Sequence, residues 1–245
     1  MTGCDHACTF CIVPLVRGPE KGRPIADVVR DVSMQVDLGV REVTLLGQNV
    51  DHYRDPATGG DFADLLAAVD AVPGLWRVRF TTSNPRDMSD RVLEAVRDLP
   101  RVCEHLHLPV QSGSDPVLRR MGRGYTVGEY RALIDRARSL VPNASLTTDL
   151  IVGFCGESDD DFGQTLNLVN EIGFDGAYTF KYSPRPGTPA AHLTDDVPEP
   201  VKAERLARIN SAIEASAFIR RRADLDTVQE ILGETWEDAV AKGRT

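Results

Sequence analysis

Residues 145–154, SLTTDLIVGF, are followed by a helical segment at 158–172 and then by AYTFKYSP, residues 177–184. The two outer stretches carry the β-branched and aromatic residues that favour strands, and the middle stretch has apolar residues at helical spacing. A strand, a helix and a second strand in this order are typical of a parallel βαβ unit. This part of the chain therefore predicts an α/β fold.

The same alternation of strands and helices runs through the rest of the chain. Further strands are predicted within EVTLLGQNV (42–50), RVRFTTSNP (77–85) and HLHLPVQSG (105–113). Further helices are predicted over residues 25–38, 61–72, 89–98, 115–121 and 126–140, the last opened by the capping-box pair Thr126 and Glu129. After Pro189 the pattern changes, and a long charged helix is predicted over residues 199–222. The repeated units predict a parallel sheet.

Glycine and polar residues follow four of the predicted strands. They are Gly47-Gln48-Asn49, Ser83-Asn84, Gln111-Ser112-Gly113 and Gly153. Turn formation explains any one of them equally well. In parallel α/β barrels, however, the active site lies at the carboxyl ends of the strands. Because four such ends occur in one chain, we expect them to share a site.

Length and charge limit the classes of function. The chain has 245 residues and 42% hydrophobic residues, which suits one barrel-sized domain or two small ones. Its net charge of −9 argues weakly against an RNA partner, since phosphate contacts usually require a basic protein. Local basic groups can override this balance, although a solvated surface is the simpler interpretation of each. They are Arg17/Lys21/Arg23, Arg119/Arg120/Arg123 and Arg220/Arg221/Arg222.

The sequence predicts a cytoplasmic protein without a membrane partner. It has no apolar run of membrane-spanning length and no signal-peptide pattern at its start. Cysteines remain reduced in that compartment, so a disulfide framework is not expected. Three of the five cysteines fall within eight residues, which points to a metal site.

Cys4, Cys8 and Cys11 follow the pattern Cys-x-x-x-Cys-x-x-Cys. Three thiolates can bind three irons of a cubane cluster and leave the fourth iron open for a ligand, whereas an electron-carrying cluster normally has four cysteines. Two alternatives remain: a zinc ion with His6 as a further ligand, and a redox Cys-x-x-Cys pair formed by Cys8 and Cys11. Cys103 and Cys155 stand alone, and burial as a small apolar residue is expected for Cys103.

Several segments resemble the radical S-adenosylmethionine (SAM) methylthiotransferase family. In chain order they are GCDHACTFCIVPLVRG, TLLGQNV, RFTTSNPRD, VCEHLHLPVQSGSDPVLRRMGRGYT, DLIVGFCGES and FKYSPRPGTPAA, which together extend from Gly3 to Ala191. The HLHLPVQSGSD and FTTSNP segments are most similar to the tRNA branch, which acts on N6-isopentenyl-type adenosine beside the anticodon. The resemblance implies a partial (β/α)6 TIM-like radical SAM barrel with a C-terminal helical extension.

The resemblance also implies roles for individual residues. Cys4, Cys8 and Cys11 would hold a [4Fe–4S] cluster whose open iron chelates SAM, and one electron would cleave SAM to a radical that abstracts hydrogen from adenine. The implied SAM contacts are Phe10 near the adenine, Gly47, Gln48 and Asn49 at the methionine part, Gln111 and Ser112 at the ribose, and Gly153 and Glu157 near the adenine. A plain loop aromatic packed on the core is the alternative for Phe10. The implied partners are the anticodon stem-loop of tRNA and an electron donor.

The chain departs from the family in three places. The family carries an N-terminal domain with a second [4Fe–4S] cluster, and the ligands of that cluster are absent here. The family motif GFPGE appears as GFCGE, with Cys155 in place of proline. The first barrel strand is nearly missing. We therefore expect a fragment with a radical SAM core at 1–191, a helical linker at 192–224 and the start of a truncated RNA-binding β-domain at 225–245.

Three other functions compete with methylthiolation of isopentenyl-type adenosine in tRNA. One is methylthiolation of a ribosomal protein, and another is methylthiolation of threonylcarbamoyl-adenosine in tRNA. The third is a non-catalytic, zinc-stabilised RNA-binding module. Substrate trials distinguish the enzymes from one another. An iron and sulfide count distinguishes the cluster from zinc, because zinc brings no acid-labile sulfide.

Overall fold

The computed structural model describes residues 1–237 and 240–244, and it contains a curved layer of parallel strands covered by helices. The strands of this layer are β1 (Glu42–Leu45), β2 (Arg77–Phe80), β3 (His105–His107), β4 (Ser145–Val152) and β5 (Gly176–Lys181). The helices are α1 (Val13–Arg17), α2 (Ile25–Asp37), α3 (Phe62–Asp70), α4 (Asp90–Asp98), α5 (Asp115–Met121), α6 (Val127–Leu140), α7 (Asp159–Ile172) and α8 (Glu199–Arg222). Short 3-10 helices occur at Val50–His52 and Pro189–His192.

The five strands form one continuous parallel order, β1-β2-β3-β4-β5. β1 pairs with β2, and β4 lies between β3 and β5. A parallel bridge between Val78 and Val102 joins the two groups just before β3 begins. This order confirms the α/β class and the partial barrel that the sequence predicts.

The predicted helices occur at the predicted places, and α3, α4, α5, α6 and α7 begin at capping side chains, whereas α2 and α8 begin after Pro24 and Pro198 without one. The Thr126–Glu129 capping box opens α6, as expected, and equivalent boxes at Asp61–Asp64 and Ser158–Asp161 open α3 and α7. Each box satisfies backbone N–H groups that the first helical turn leaves unpaired. The one-turn helix α1 and the two 3-10 helices were not predicted, because they are too short to show a periodic pattern.

One face of the sheet is buried and the other is open. Along β4 the buried positions alternate, at Leu146, Thr148, Leu150 and Val152, and this face packs under the helices. The opposite, concave face carries Tyr178, which is 66% exposed. Because side chains alternate between faces of a strand, every second residue of β3, β4 and β5 points to this face, which is exposed along β5 and covered at His107 of β3.

Helix α8 covers the outer side of β5 and packs against α7. Its buried residues recur every four positions, at Arg205, Ile209, Ile213 and Ala217, so the charged helix has an inward stripe. Beyond it, β6 (Leu232–Glu237) and β7 (Val240–Arg244) form an antiparallel pair. The assignment of residues 225–245 to an RNA-binding domain stays a prediction. In the described part of the chain, no helix is both long and apolar enough to span a membrane.

Candidate active site

The cysteine loop lies across the carboxyl ends of the strands. Thr9 N donates to Met121 O at 2.9 Å, and Thr9 Oγ1 donates to Arg120 O at 2.8 Å, which ties the loop to the end of α5. Gly3 has a φ of 82°, and a Cβ there would lie 2.0 Å from the carbonyl oxygen of Pro19. Only glycine fits at this entry to the loop.

The three thiols of the loop are partly buried and form no disulfide. Burial is the main cause that raises the pKa of both Cys4 and Cys11, and the charge of Cys8 raises the pKa of each further. Backbone N–H groups of His6 and Val13 act in the opposite direction, on Cys4 and Cys11 respectively. Because metal binding requires thiolates, binding at this loop releases protons.

A buried guanidinium touches the loop. Arg123 is 7% exposed, and its Nη1 donates to Cys8 Sγ at 3.3 Å. Its other nitrogens donate to Pro109 O at 2.8 Å and to the hydroxyl oxygen of Tyr125 at 3.0 Å. The simpler interpretation of the sequence, a solvated basic surface, is therefore wrong for Arg123. Its guanidinium instead places positive charge beside the thiol of Cys8.

The donor set of the loop fits a cubane cluster. Three cysteines on separate irons are the normal protein ligands of a cluster with one open iron. Among the residues that the structure describes, no three His, Cys, Asp or Glu side chains are grouped in a way that could hold a metal ion, and this applies to the loop cysteines as well as to a zinc site with His6. The fit to a cluster therefore rests on the number and spacing of the cysteines.

The turn after β1 contains three of the expected SAM contacts. Gly47 lies against Met1, where a Cβ would approach Met1 Cγ to 2.7 Å. Gln48 Oε1 accepts a hydrogen bond from Gly3 N at 2.8 Å, so this side chain braces the entry to the cysteine loop. Asn49 is 1% exposed and its Oδ1 has no partner among the described residues. An unpaired buried acceptor is costly, so Asn49 fits a ligand that brings a donor, such as the ammonium of SAM.

The segment after β3 contains two more of the expected contacts, of which one has an unpaired side chain and the other a bonded one. Gln111 has a φ of 72° and is bonded through its backbone to Asp149 and Ile151 of β4. Its side-chain amide has no partner in the described part of the chain, which leaves it available. Ser112 is fully buried, and its Oγ lies 3.2 Å from Thr165 Oγ1 in α7. The Ser112 side chain therefore joins the segment after β3 to helix α7.

Gly153 and Glu157 shape the turn between β4 and α7. Glu157 accepts a hydrogen bond from Gly153 N and forms an ion pair with Arg205 of α8 at 3.1 Å. Burial is the largest cause of the raised pKa of Glu157. At Gly153 a Cβ would lie 2.4 Å from the side chain of Lys202. The carboxylate of Glu157 is thus already engaged by the protein.

Phe10 lies beside the carboxyl end of β4. Its ring meets Phe154 edge-on at 6.4 Å, in a small apolar cluster that also contains Cys155 and Tyr182. Phe10 therefore packs on an apolar cluster and borders the expected adenine region at the same time. Cys155 is buried within this cluster, whereas Cys103 is only half-buried near Arg79, contrary to the burial expected for it.

The structure adds polar residues that the sequence left without a role. His6 Nε2 is bonded to Asp87, and Asn49 Nδ2 donates to the same carboxylate at 2.6 Å. Burial alone would raise the pKa of Asp87, but its bonds to His6 and Asn49 bring the pKa below its usual range. Asp87 is the last residue of RFTTSNPRD, one of the segments that resemble the family. The sequence therefore drew attention to this segment, but it could not show that Asp87 is bonded to His6 and Asn49.

The sequence pattern of the Radical SAM superfamily matches residues 1–169. The chain therefore belongs to the Radical SAM superfamily. Membership implies a [4Fe–4S] cluster and SAM as cofactors, in agreement with the cysteine loop and the free acceptor of Asn49.

Among curated proteins, the chain is similar to enzymes called tRNA-2-methylthio-N(6)-dimethylallyladenosine synthase. The protein of Stutzerimonas stutzeri (strain A1501) is 48% identical over 248 residues, which cover 100% of this chain and 56% of that protein. The protein of Ralstonia pickettii (strain 12J) is 49% identical over 238 residues, covering 96% of this chain and 52% of that protein. The chain thus spans about half the length of the curated relatives it matches.

Solved structures support the fold alone. Methylornithine synthase has a TM-score of 0.58 at 17% identity, covering 94% of this chain and 69% of that one. Coproporphyrinogen III oxidase from Escherichia coli, a radical SAM enzyme, has a TM-score of 0.55 at 22% identity, covering 90% of this chain and 51% of that one. Both resemblances support the α/β barrel fold.

Proposed function

We propose that this chain is the catalytic core of a radical SAM methylthiotransferase that modifies C2 of N6-isopentenyl-type adenosine in tRNA. The observation that carries the proposal is 48% identity over the whole chain to a protein named for this reaction. The matching cysteine loop and strand-end residues support it. A tRNA substrate also suits a cytoplasmic protein, which remains a prediction.

The chain's own residues would divide the work between cofactor binding and substrate access. Cys4, Cys8 and Cys11 would hold the cluster, which supplies the electron that cleaves SAM when both are bound. Asn49 would accept a hydrogen bond from the ammonium of SAM, and the free amide of Gln111 would meet its ribose hydroxyls. Ser112 and Glu157 would support the site from behind, because their polar atoms are already bonded to Thr165 and Arg205.

The open concave face of the sheet offers the substrate base a way in. Tyr178 and Phe180 of β5 are 66% and 51% exposed there. Beside them, His107 Nε2 lies 3.2 Å from Asp149 Oδ1, and the His107 ring meets Tyr178 edge-on at 5.9 Å. Exposed aromatic rings provide surfaces on which an unstacked base can stack.

The test follows hydrogen transfer and does not require sulfur insertion. The reconstituted, reduced chain is incubated with SAM and an anticodon stem-loop whose isopentenyl-adenosine carries deuterium at C2. Mass spectrometry then measures deuterium in 5′-deoxyadenosine. We expect labelled 5′-deoxyadenosine, because hydrogen abstraction from C2 precedes any transfer of sulfur.

Three controls distinguish the rival functions. The same stem-loop without the isopentenyl group, a threonylcarbamoyl-adenosine stem-loop and a ribosomal-protein peptide each replace the substrate. SAM cleavage with deuterium transfer from the isopentenyl substrate alone supports the proposal. Transfer from one of the other substrates would assign the chain to a sister enzyme. Bound zinc without acid-labile sulfide would instead support the RNA-binding module.

A further inference from the structure

Asp87 connects the cysteine loop to the turn that follows β1. His6, between Cys4 and Cys8, is bonded to Asp87 Oδ2, and Asn49 Nδ2 donates to the same oxygen at 2.6 Å. The carboxylate is largely buried, with 14% of its side chain exposed. One oxygen therefore touches both the expected cluster loop and an expected SAM contact.

The bond to Asp87 determines which way the Asn49 amide faces. A carboxylate accepts hydrogen bonds and donates none, so the amide nitrogen of Asn49 must face Asp87. The amide oxygen then faces away from Asp87, and it is buried without a partner in the described residues. Asp87 thus keeps an acceptor directed away from itself and free for a donor.

A second connection, by a hydrogen bond, joins the cysteine loop to the turn after β1. Gly3 N donates to Gln48 Oε1 at 2.8 Å, so the residue before Cys4 is joined to the residue before Asn49. The two connections lie on either side of Cys4 in the chain, one at Gly3 and the other at His6. Together they set the position of the loop relative to the turn, and hence the position of the cluster relative to the acceptor of Asn49.

The same turn is also joined to the segment after β2. Val50 N donates to Thr82 O at 3.1 Å, and Ser83 Oγ donates to Asp51 Oδ1 at 3.0 Å. Removal of the Asp87 side chain therefore leaves the backbone of the turn supported. What it removes is the bond that orients the Asn49 amide.

We propose that Asp87 is a positioning residue for SAM, which orients Asn49 towards the methionine ammonium and holds that acceptor in register with the cysteine loop. This inference rests on the SAM site of the proposed function. Asp87 acts through Asn49 and His6 and does not itself touch SAM.

The experiment compares Asp87→Ala with Asp87→Asn in the reconstituted chain. SAM affinity is measured by equilibrium dialysis with the oxidised cluster, so that SAM is not consumed. Iron and sulfide counts and thermal unfolding are measured on the same samples. Asp87→Ala is expected to bind a full cluster and to weaken SAM binding by about tenfold, because the Asn49 amide loses its partner and its fixed direction. Asp87→Asn retains an acceptor oxygen and is expected to restore most of the affinity.

Glu20→Ala is the matched control. Glu20 forms an equivalent carboxylate–histidine pair with His52, whose ring centre lies 6.3 Å from that of His6. This pair does not include Asn49, so its loss is expected to leave SAM affinity unchanged. The control separates orientation of Asn49 from a general loss of charge in the region.

Each outcome decides the inference. Unchanged SAM affinity in Asp87→Ala, with wild-type binding intact, would overturn it. Equal weakening in Asp87→Asn and Asp87→Ala would also overturn it, because charge would then matter rather than the hydrogen bond. If Asp87→Ala does not fold, Asp87→Leu, which fills the same space but accepts no hydrogen bond, takes its place. Weaker SAM binding in Asp87→Leu than in Asp87→Asn supports the inference, and equal affinities in these two variants and the wild type contradict it. Failure of the wild-type chain to bind SAM would count against the proposed function itself.

Discussion

Arg123 Nη1 donates a hydrogen bond to Cys8 Sγ across 3.3 Å, from inside the fold. Hydrogen bonds to the sulfurs of a cluster and nearby positive charge influence its reduction potential. Both favour the reduced cluster, which carries more negative charge. This contact therefore connects the α5–α6 segment to the redox behaviour of the site.

Replacement of Arg123 by Leu is expected to make the reduction potential of the cluster more negative. The variant also removes the bond from Arg123 to Pro109 O at 2.8 Å, but this oxygen keeps the Tyr125 hydroxyl as a donor at 3.2 Å, so the fold is expected to tolerate the change. An EPR-monitored redox titration measures the potential. Tyr125→Phe, which keeps the guanidinium, is the control, and an unchanged potential in Arg123→Leu would show that the contact has no electronic effect.

Replacement of Cys4, Cys8 or Cys11 by Ala is expected to abolish binding of close to four irons and four sulfides. Each thiolate would bind a different iron, so no single loss would be compensated. Iron and sulfide analysis after anaerobic reconstitution measures this. Cys103→Ala is the control and is expected to retain the cluster. A triple cysteine variant that still held a full cubane would refute the assignment of the loop.

Asp51 is expected to make stability depend on pH. Burial raises the pKa of this carboxyl from 3.8 to about 7. A raised pKa means that the folded chain binds the proton more tightly, so the stabilisation is complete below pH 3.8 and is lost as the pH rises through 7. The loss is on the order of 4 kcal/mol. Urea unfolding at pH 5 and pH 8 measures about 3 kcal/mol of this loss, because the remainder already occurs between pH 3.8 and pH 5. Asp51→Asn is expected to flatten the dependence, and an equally steep profile in that variant would exclude Asp51 as the cause.

Glu157→Gln is expected to affect stability more than SAM binding. The substitution removes the buried partner of Arg205, which is 4% exposed, and leaves it paired with the exposed Asp159 alone, at 2.7 Å. Because Asp159 remains, the loss in the free energy of unfolding is expected to lie below the about 3–5 kcal/mol of a fully broken buried pair. Thermal unfolding and equilibrium dialysis with SAM measure the two effects. A large loss of SAM affinity at unchanged melting temperature would show instead that Glu157 contacts SAM directly.

The chain, with cluster, SAM, reductant and isopentenyl-adenosine tRNA, is expected to form no methylthio product. After the loop cysteines are used, Cys103 and Cys155 remain. Cys103 precedes β3 and Cys155 follows β4, so they lie at opposite ends of the sheet, roughly 25 Å apart at about 3.3 Å per strand residue. They cannot hold one sulfur donor between them. Mass spectrometry of digested tRNA is the measurement, and a clear methylthio-adenosine peak would contradict this prediction.

The order of strands and helices and the cysteine loop were predictable from the sequence, because the patterns that encode them are local. Periodic apolar residues, the Thr126–Glu129 capping box and three cysteines within eight residues are each visible in a short window. The segments that resemble radical SAM enzymes are equally short. The α/β barrel follows from information of this kind, and the cluster ligands are predicted from it.

Only the tertiary structure decided which polar residues are free to bind a ligand. His6 and Asp87 are 81 residues apart in the chain, and Arg123 and Cys8 are 115 apart. The sequence pattern ranks Asn49, Ser112 and Glu157 alike, yet Asn49 keeps a free oxygen while the other two are bonded to α7 and α8. A polar group's availability depends on the partners that folding brings to it, and those partners come from distant parts of the chain.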